Sequence, residues 1–230
     1  MQTKILIPSS LSEIRLTQYQ ELMKLQNEDD SNDVAAKKMI SMLCKIKMSE
    51  VNLFSAGDVF TLMAKLGDLF KEEPDFEPTF FIDKYEFGFI PDLENMTFGE
   101  YVDAEKYLQS WDTMHNAMAV LFRPIKKRKG DKYEIEPYHT SATYADMMKL
   151  MPLNAALGAS FFLRDLSTEL LNATMDFLQA ELQTMDTTTA QKPTSQIDGD
   201  GIVQFIRSAK ETLNGWTQLP HYRCISALLT

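Results

Sequence analysis

Between Pro152 and Met185 the chain carries no strong helix breaker, and its apolar residues keep helical spacing throughout. That spacing predicts one long helix. Pro152 suits its first turn, where a missing N–H costs nothing. Two adjoining seams, Leu163, Leu166, Leu170 and Phe177, then Leu171, Met175, Leu178 and Leu182, give the helix a wide apolar face. A face this wide predicts the central element of a core, with Leu166 and Leu170 buried.

The segments before it are shorter and mostly helical. Ile5 to Ile7 and Glu13 to Leu16 read as two short extended pieces around Pro8, Ser9 and Ser10. Thr17 with Gln20 has capping-box spacing and predicts a helix to about Asn27, followed by a polar loop from Glu28 to Asp33. Ala36, Met39, Ile40, Leu43 and Cys44 share one helical face, which makes Cys44 a core residue. Ser55 and Asp58 repeat the cap pattern ahead of Val59, Leu62, Met63, Leu66, Leu69 and Phe70, a stripe that stops before Pro74.

Around residue 79 the period changes. Thr79 to Ile90 is aromatic and β-branched about Asp83 and Lys84, predicting a hairpin of strands TFFI and YEFGFI. Thr97 with Glu100 caps a further helix carrying Tyr101, Ala104 and Leu108. Another follows from Trp111 through Met114, Ala117, Met118, Leu121 and Phe122, with its end expected at Pro124. Lys126 to Lys129 with Gly130 reads as a basic turn, leading into a short strand around Tyr133, Glu134 and Ile135, and Tyr144 to Leu150 as a short helix. The expected class is therefore mainly α, a helical core with a small β-hairpin portion (α+β). Residues 1–185 form its body, 186–201 a polar Pro- and Gly-containing linker, and 202–230 a C-terminal helical segment in which Ile202, Phe205, Ile206, Ala209, Leu213 and Trp216 lie on one face.

Chemistry is harder to find. Phosphate-cradling glycine loops, zinc helices and nucleophile elbows are missing from the sequence, and His115, His139 and His221 are dispersed. Asp198, Gly199, Asp200 and Gly201 start like a calcium loop but lack the later ligands, so no cofactor or metal is expected. A formal charge of −10 disfavours approach to nucleic acid, although the basic run at 126–129 suits an acidic partner surface. No run of 18 apolar residues predicts a membrane span, and the two isolated cysteines, Cys44 and Cys224, fit a reducing compartment. Among 14 methionines, most fit apolar stripes; Met147, Met148 and Met151 cluster beside Pro152 as an adaptable contact.

Several blocks, FGFIPDLENMTFGEYVDAEKYL, WDTMHNAMAVLFRPI, KYEIEPY, MPLNAALGASFFL and GDGIVQFIRSAKETL, together with the N-terminal IPSSLSEIRLTQYQEL, resemble a family of small proteins encoded in the structural gene clusters of tailed bacteriophages. The resemblance implies a helical assembly protein similar to tail or baseplate-hub assembly chaperones, acting by binding and not as an enzyme. A virion structural protein of the neck or tail is the alternative, and a small enzyme a more distant one. Zinc-containing relatives would carry paired cysteines in mid-chain, which this sequence lacks. The implied partners are phage tail or baseplate proteins, with a homo-oligomer also allowed, and the implied location is the host cytoplasm, or the virion for a structural component.

Under that reading the contact surface is expected from Phe89, Ile90, Phe98 and Tyr101 around Pro91, with Met147, Met148 and Met151. Independently of function, the composition of 186–201 predicts that limited proteolysis cuts there first. Equal protection of this stretch and the preceding helix would refute the linker assignment.

Overall fold

The computed structural model describes residues 6–25 and 32–186, which form a mainly helical core carrying a small antiparallel sheet. In chain order the elements are α1 (Leu16–Leu25), α2 (Asn32–Leu43), α3 (Met48–Val51), α4 (Ala56–Leu69), β1 (Thr79–Ile82), β2 (Tyr85–Phe89), α5 (Phe98–Tyr107), α6 (Met114–Leu121), β3 (Phe122–Lys129), β4 (Lys132–Ile135), α7 (Ala145–Met148) and α8 (Leu153–Asp186). The linker and the C-terminal segment expected at 186–201 and 202–230 lie, beyond Asp186, outside the described residues. So do Ile5 and residues 26–31 of the two N-terminal connections.

The central helix is α6 rather than α8. Six of its eight residues, Met114, Ala117, Met118, Ala119, Val120 and Leu121, are buried, and it packs against α5 and α7. A helix apolar on nearly every side must lie inside. It does not run to Pro124 as expected. Phe122 turns to extended backbone at φ −118° and opens β3, so helix passes into strand with no loop between them. Pro124 then sits within β3, opposite Phe87.

The sheet has the order β1-β2-β3-β4, with every neighbouring pair antiparallel. The expected β1–β2 hairpin is present, with Asp83 at φ 51°, a left-handed conformation that Asp tolerates better than most residues. The basic run 126–129 is strand and not a turn: the reversal is at Gly130, φ 61°, while Lys126 bulges out of register between Ile125 and Lys127. Acidic neighbours partner two of these cations. Arg128 is paired with Glu86, and Lys127 lies 3.7 Å from Glu134. One face of the sheet is aromatic, with Phe80 against Phe87 and Phe122, and Phe89 against Phe122.

At the N-terminus the second extended piece is replaced by a 3-10 turn at Leu11–Glu13, and only Arg15 keeps a strand-like bridge, to Pro152. Through that bridge the start of the chain clamps the start of α8. Leu153 N–H donates to Ile14 O at 2.9 Å, and Leu16 N–H to Met151 O at 2.9 Å, pairing groups that a helix end leaves open. The cap of α1 also differs: Gln18, not Gln20, accepts from a backbone N–H, that of Arg15 at 2.9 Å. Gln20 turns inward, where its amide donates to Trp111 O at 2.6 Å. By contrast, the Ser55 cap of α4 and the stripe behind it form as expected, as does the Met39–Cys44 face of α2. Burial pushes the Cys44 thiol up, as befits a core residue.

The long helix is present, but only its first half lies in the core. Leu153, Ala155, Ala156, Leu157, Ala159, Ser160 and Leu163 are buried, whereas Leu166 is 40%, Leu170 62% and Phe177 64% exposed. The expectation that Leu166 and Leu170 are buried is thus overturned: Ser167, one position on, is buried at 4% exposure, so at this level α8 turns a different face from the Leu166–Leu170 seam toward its neighbours. The side chains of Leu171, Met175, Leu178 and Leu182 are outside what the structure describes.

Close packing at the buried end depends on Gly158. A Cβ there would stand 2.4 Å from Asp75 O and 3.3 Å from Phe76 Cα, both backbone atoms of the connection between α4 and β1. Gly158→Ala should therefore push that connection off α8 and destabilise the fold by about 1–3 kcal/mol, the usual range for overpacking. Chemical denaturation checks this, and a helix-favouring gain in stability would show that the connection moves freely.

Candidate functional site

The segment from Phe87 to Tyr101, with Met147, Met148 and Met151, is the expected seat of protein contact, and the anchoring of its helix α5 is well defined. Thr97 Oγ1 accepts from Glu100 N–H at 3.3 Å, and Glu100 Oε2 accepts from Thr97 N–H at 2.7 Å, a reciprocal cap that starts α5. The other carboxylate oxygen of Glu100 meets Arg123 Nη1 at 2.5 Å, with both side chains under 8% exposed. Arg123 follows Phe122 in β3, donates to Val120 O at 3.3 Å and lies over the Tyr138 ring at 5.5 Å. Tyr138 in turn donates to the Asp103 carboxylate on α5. Two residues of α5, Glu100 and Asp103, are thus held from below.

Burial alone would raise the Glu100 carboxyl, but the hydrogen bonds from Thr97 and the Arg123 charge outweigh it, so the group sits below the usual carboxylate range. Tyr138 is pushed up by burial and by Asp103, and Tyr144 to about 12 by burial and by Glu136. The Glu100 carboxylate therefore stays charged and the Tyr138 and Tyr144 phenols stay neutral near pH 7.

With its inner face pinned, α5 turns Phe98, Tyr101 and Val102 outward, at 82%, 42% and 41% exposure. Their i, i+3, i+4 spacing puts them on one side of the helix. Of the seven residues expected at the contact surface, the structure leaves two on this row, Phe98 and Tyr101. Phe89 and Ile90 are core residues: Phe89 stacks edge-on against Phe76 and Phe122, and Ile90 N–H donates to Leu121 O at 2.9 Å. Met148 and Met151 are fully buried, and Met147 is partly buried against the core. Val102 also belongs to the row; of the expected stripe Tyr101, Ala104 and Leu108, only Ala104 and Leu108 face inward.

The described histidines, His115 and His139, lie in separate surroundings. His115 Nδ1 lies 3.0 Å from the Gln20 amide and its Nε2 3.2 Å from Asn116; burial, reinforced by Lys149, keeps it below the usual imidazole range. His139 lines a cavity of about 20 Å³ with Arg123, Glu136 and Tyr144, space for roughly one water molecule. His221 and the Asp198–Gly201 stretch lie outside the described residues, among which no cluster of three or more His, Cys, Asp or Glu could hold a metal ion. No described helix is long and apolar enough to cross a membrane.

Comparison of the chain with protein-family models, with curated proteins and with solved structures finds no match in any of the three.

The Glu100–Arg123 pair makes a prediction about stability. A carboxyl whose folded value is depressed contributes stability above its ordinary range, near pH 4.5, and loses it as pH falls through the lower folded value. Glu100→Gln should flatten the acid limb of the stability curve. At neutral pH it should cost about 3–5 kcal/mol, since Arg123 is left as an uncompensated buried charge. Urea denaturation from pH 7 down to pH 3 checks both parts, and an unchanged acid limb would show that the pair is not the group titrating there.

Proposed function

We propose that the chain is a tail or baseplate assembly chaperone of a tailed bacteriophage, acting by binding phage structural proteins before they polymerise. The observation that carries this reading is the outward row Phe98, Tyr101 and Val102 on a helix whose other side is fixed by a cap and a buried ion pair. Exposed aromatic side chains on a rigid support bind proteins at low ordering cost, because little conformational freedom is lost when they are covered. The row also falls inside the block FGFIPDLENMTFGEYVDAEKYL, the longest of the blocks that resemble the phage family.

The proposed occupant is an apolar surface of a tail or baseplate protein, sheltered until assembly competes for it. Burial of apolar area provides the drive. A virion component of the neck or tail is the second reading.

Phe98→Asp combined with Tyr101→Asp should abolish co-purification of tail-cluster proteins, identified by mass spectrometry, from infected cells. Far-ultraviolet dichroism and melting temperature should stay nearly unchanged, since both side chains are exposed. Retained co-purification with a folded double variant would remove α5 as the site. Absence of the protein from purified virions supports the chaperone, and a fixed ring copy number there would replace it with the structural reading.

A further inference from the structure

The buried Arg123 guanidinium has protein partners on one side only. Its Nη1 meets the Glu100 carboxylate and donates to Val120 O at 3.3 Å, while the buried Nε has no protein acceptor. Nη2 has none among the described residues either. Nε and Nη2 share one edge of the planar group, and their N–H bonds on that edge run nearly parallel, the fork with which arginine holds oxygen acceptors. A charged donor edge left bare in an interior carries a large desolvation cost, so this edge calls for an oxygen.

Space for one lies beside it. Arg123 and Ala119, 5% and 1% exposed, line a cavity of about 20 Å³ whose other walls come from the segment 136–144 between β4 and α7. A single water needs roughly 10–15 Å³ measured in this way, so the cavity admits one and leaves no room for a carboxylate or phosphate. Its lining residues include oxygen acceptors: the Glu136 carboxylate, which takes a hydrogen bond from the Tyr144 hydroxyl, and the hydroxyls of Thr140 and Thr143. Glu136 repels an anion and the guanidinium repels a cation, which favours a neutral molecule.

We propose that this cavity is a binding site for one ordered water, which accepts from the Nε/Nη2 edge of Arg123 and donates to an oxygen of the 136–144 segment. The guanidinium is then held from both edges, by Glu100 of α5 on one and by water on the other. The same water ties β3 to the segment carrying Tyr138, whose ring lies over Arg123 and whose hydroxyl donates to Asp103. None of the exposed α5 row takes part, so the site stands independently of the proposed function.

A crystal structure of the full chain, at a resolution that orders individual waters, should place one water oxygen within about 3.2 Å of Nε or Nη2. In solution, the Arg123 Nε–H resonance, identified by its Overhauser contacts to the Tyr138 ring, should show magnetisation transfer to water with the sign of a long-lived bound molecule. Rotating-frame spectra separate that transfer from proton exchange. Ala119→Val, which fills the cavity from its wall, should abolish both signals in a chain that far-ultraviolet dichroism shows to be folded. If that variant does not fold, the measurements on the unaltered chain decide alone. The proposal is overturned by an ordered Arg123 without water density on that edge, by an Nε–H with no such transfer, or by signals that persist in folded Ala119→Val. Anomalous scattering at the site from bromide-soaked crystals overturns it in favour of a halide.

Discussion

The junction at which α6 becomes β3 without a loop governs the geometry of its neighbours. Phe122 ends a helix buried on nearly all sides and begins a strand, so the helix axis and the sheet cannot reorient separately. The next residue, Arg123, is carried into the interior with its charge. A buried guanidinium is tolerated only with a counter-charge and satisfied donors. Glu100 supplies the counter-charge and Val120 O a further acceptor, although Arg123 Nε keeps no protein partner, and because Glu100 also closes the cap of α5, the direction of that helix follows from the same pair. Ile90 N–H bonds to Leu121 O just before the junction, fixing where β2 leaves the sheet. The exposed row on α5 is therefore a consequence of an interior arrangement.

A second dependence runs through α8. Its buried half is rich in small residues, Ala155, Ala156, Gly158, Ala159 and Ser160, which let the α4–β1 connection approach closely. Phe76 on that connection stacks on Phe162 of α8 at 4.4 Å and meets Phe89 of the sheet edge-on at 5.0 Å. Aromatic contacts thus join helix, connection and sheet. Past Leu163 the Leu166, Leu170 and Phe177 side of the helix is exposed while Ser167 stays buried, so the apolar period alone does not say which face is covered.

Much of the fold was legible before any coordinates. The caps at Ser55 and Thr97, the face of α2, the hairpin at Asp83 and the long helix after Pro152 all appear in the structure where local spacing put them. These features depend on residues close in sequence. The candidate site was legible only in part: Phe98 and Tyr101 are exposed, but Phe89, Ile90, Met148 and Met151 are core. An apolar residue near a turn has the same local signature whether it faces a partner or the interior, and here the deciding neighbours are Leu121 and Phe122, more than thirty positions beyond Phe89.

The sequence by itself determined most of the helices and the β1–β2 hairpin, because capping hydrogen bonds, turn conformations and the alternation of apolar residues act over a few residues, but not that Phe122–Lys129 is strand. Tertiary structure alone decided that α6 and not α8 is the central helix, that Gln20 turns inward to Trp111 rather than capping α1, and that the basic run pairs across the sheet with Glu86 and Glu134. Periodicity states that a face is apolar but not whether anything covers it. Coverage depends on where distant segments end, and only the assembled core sets that.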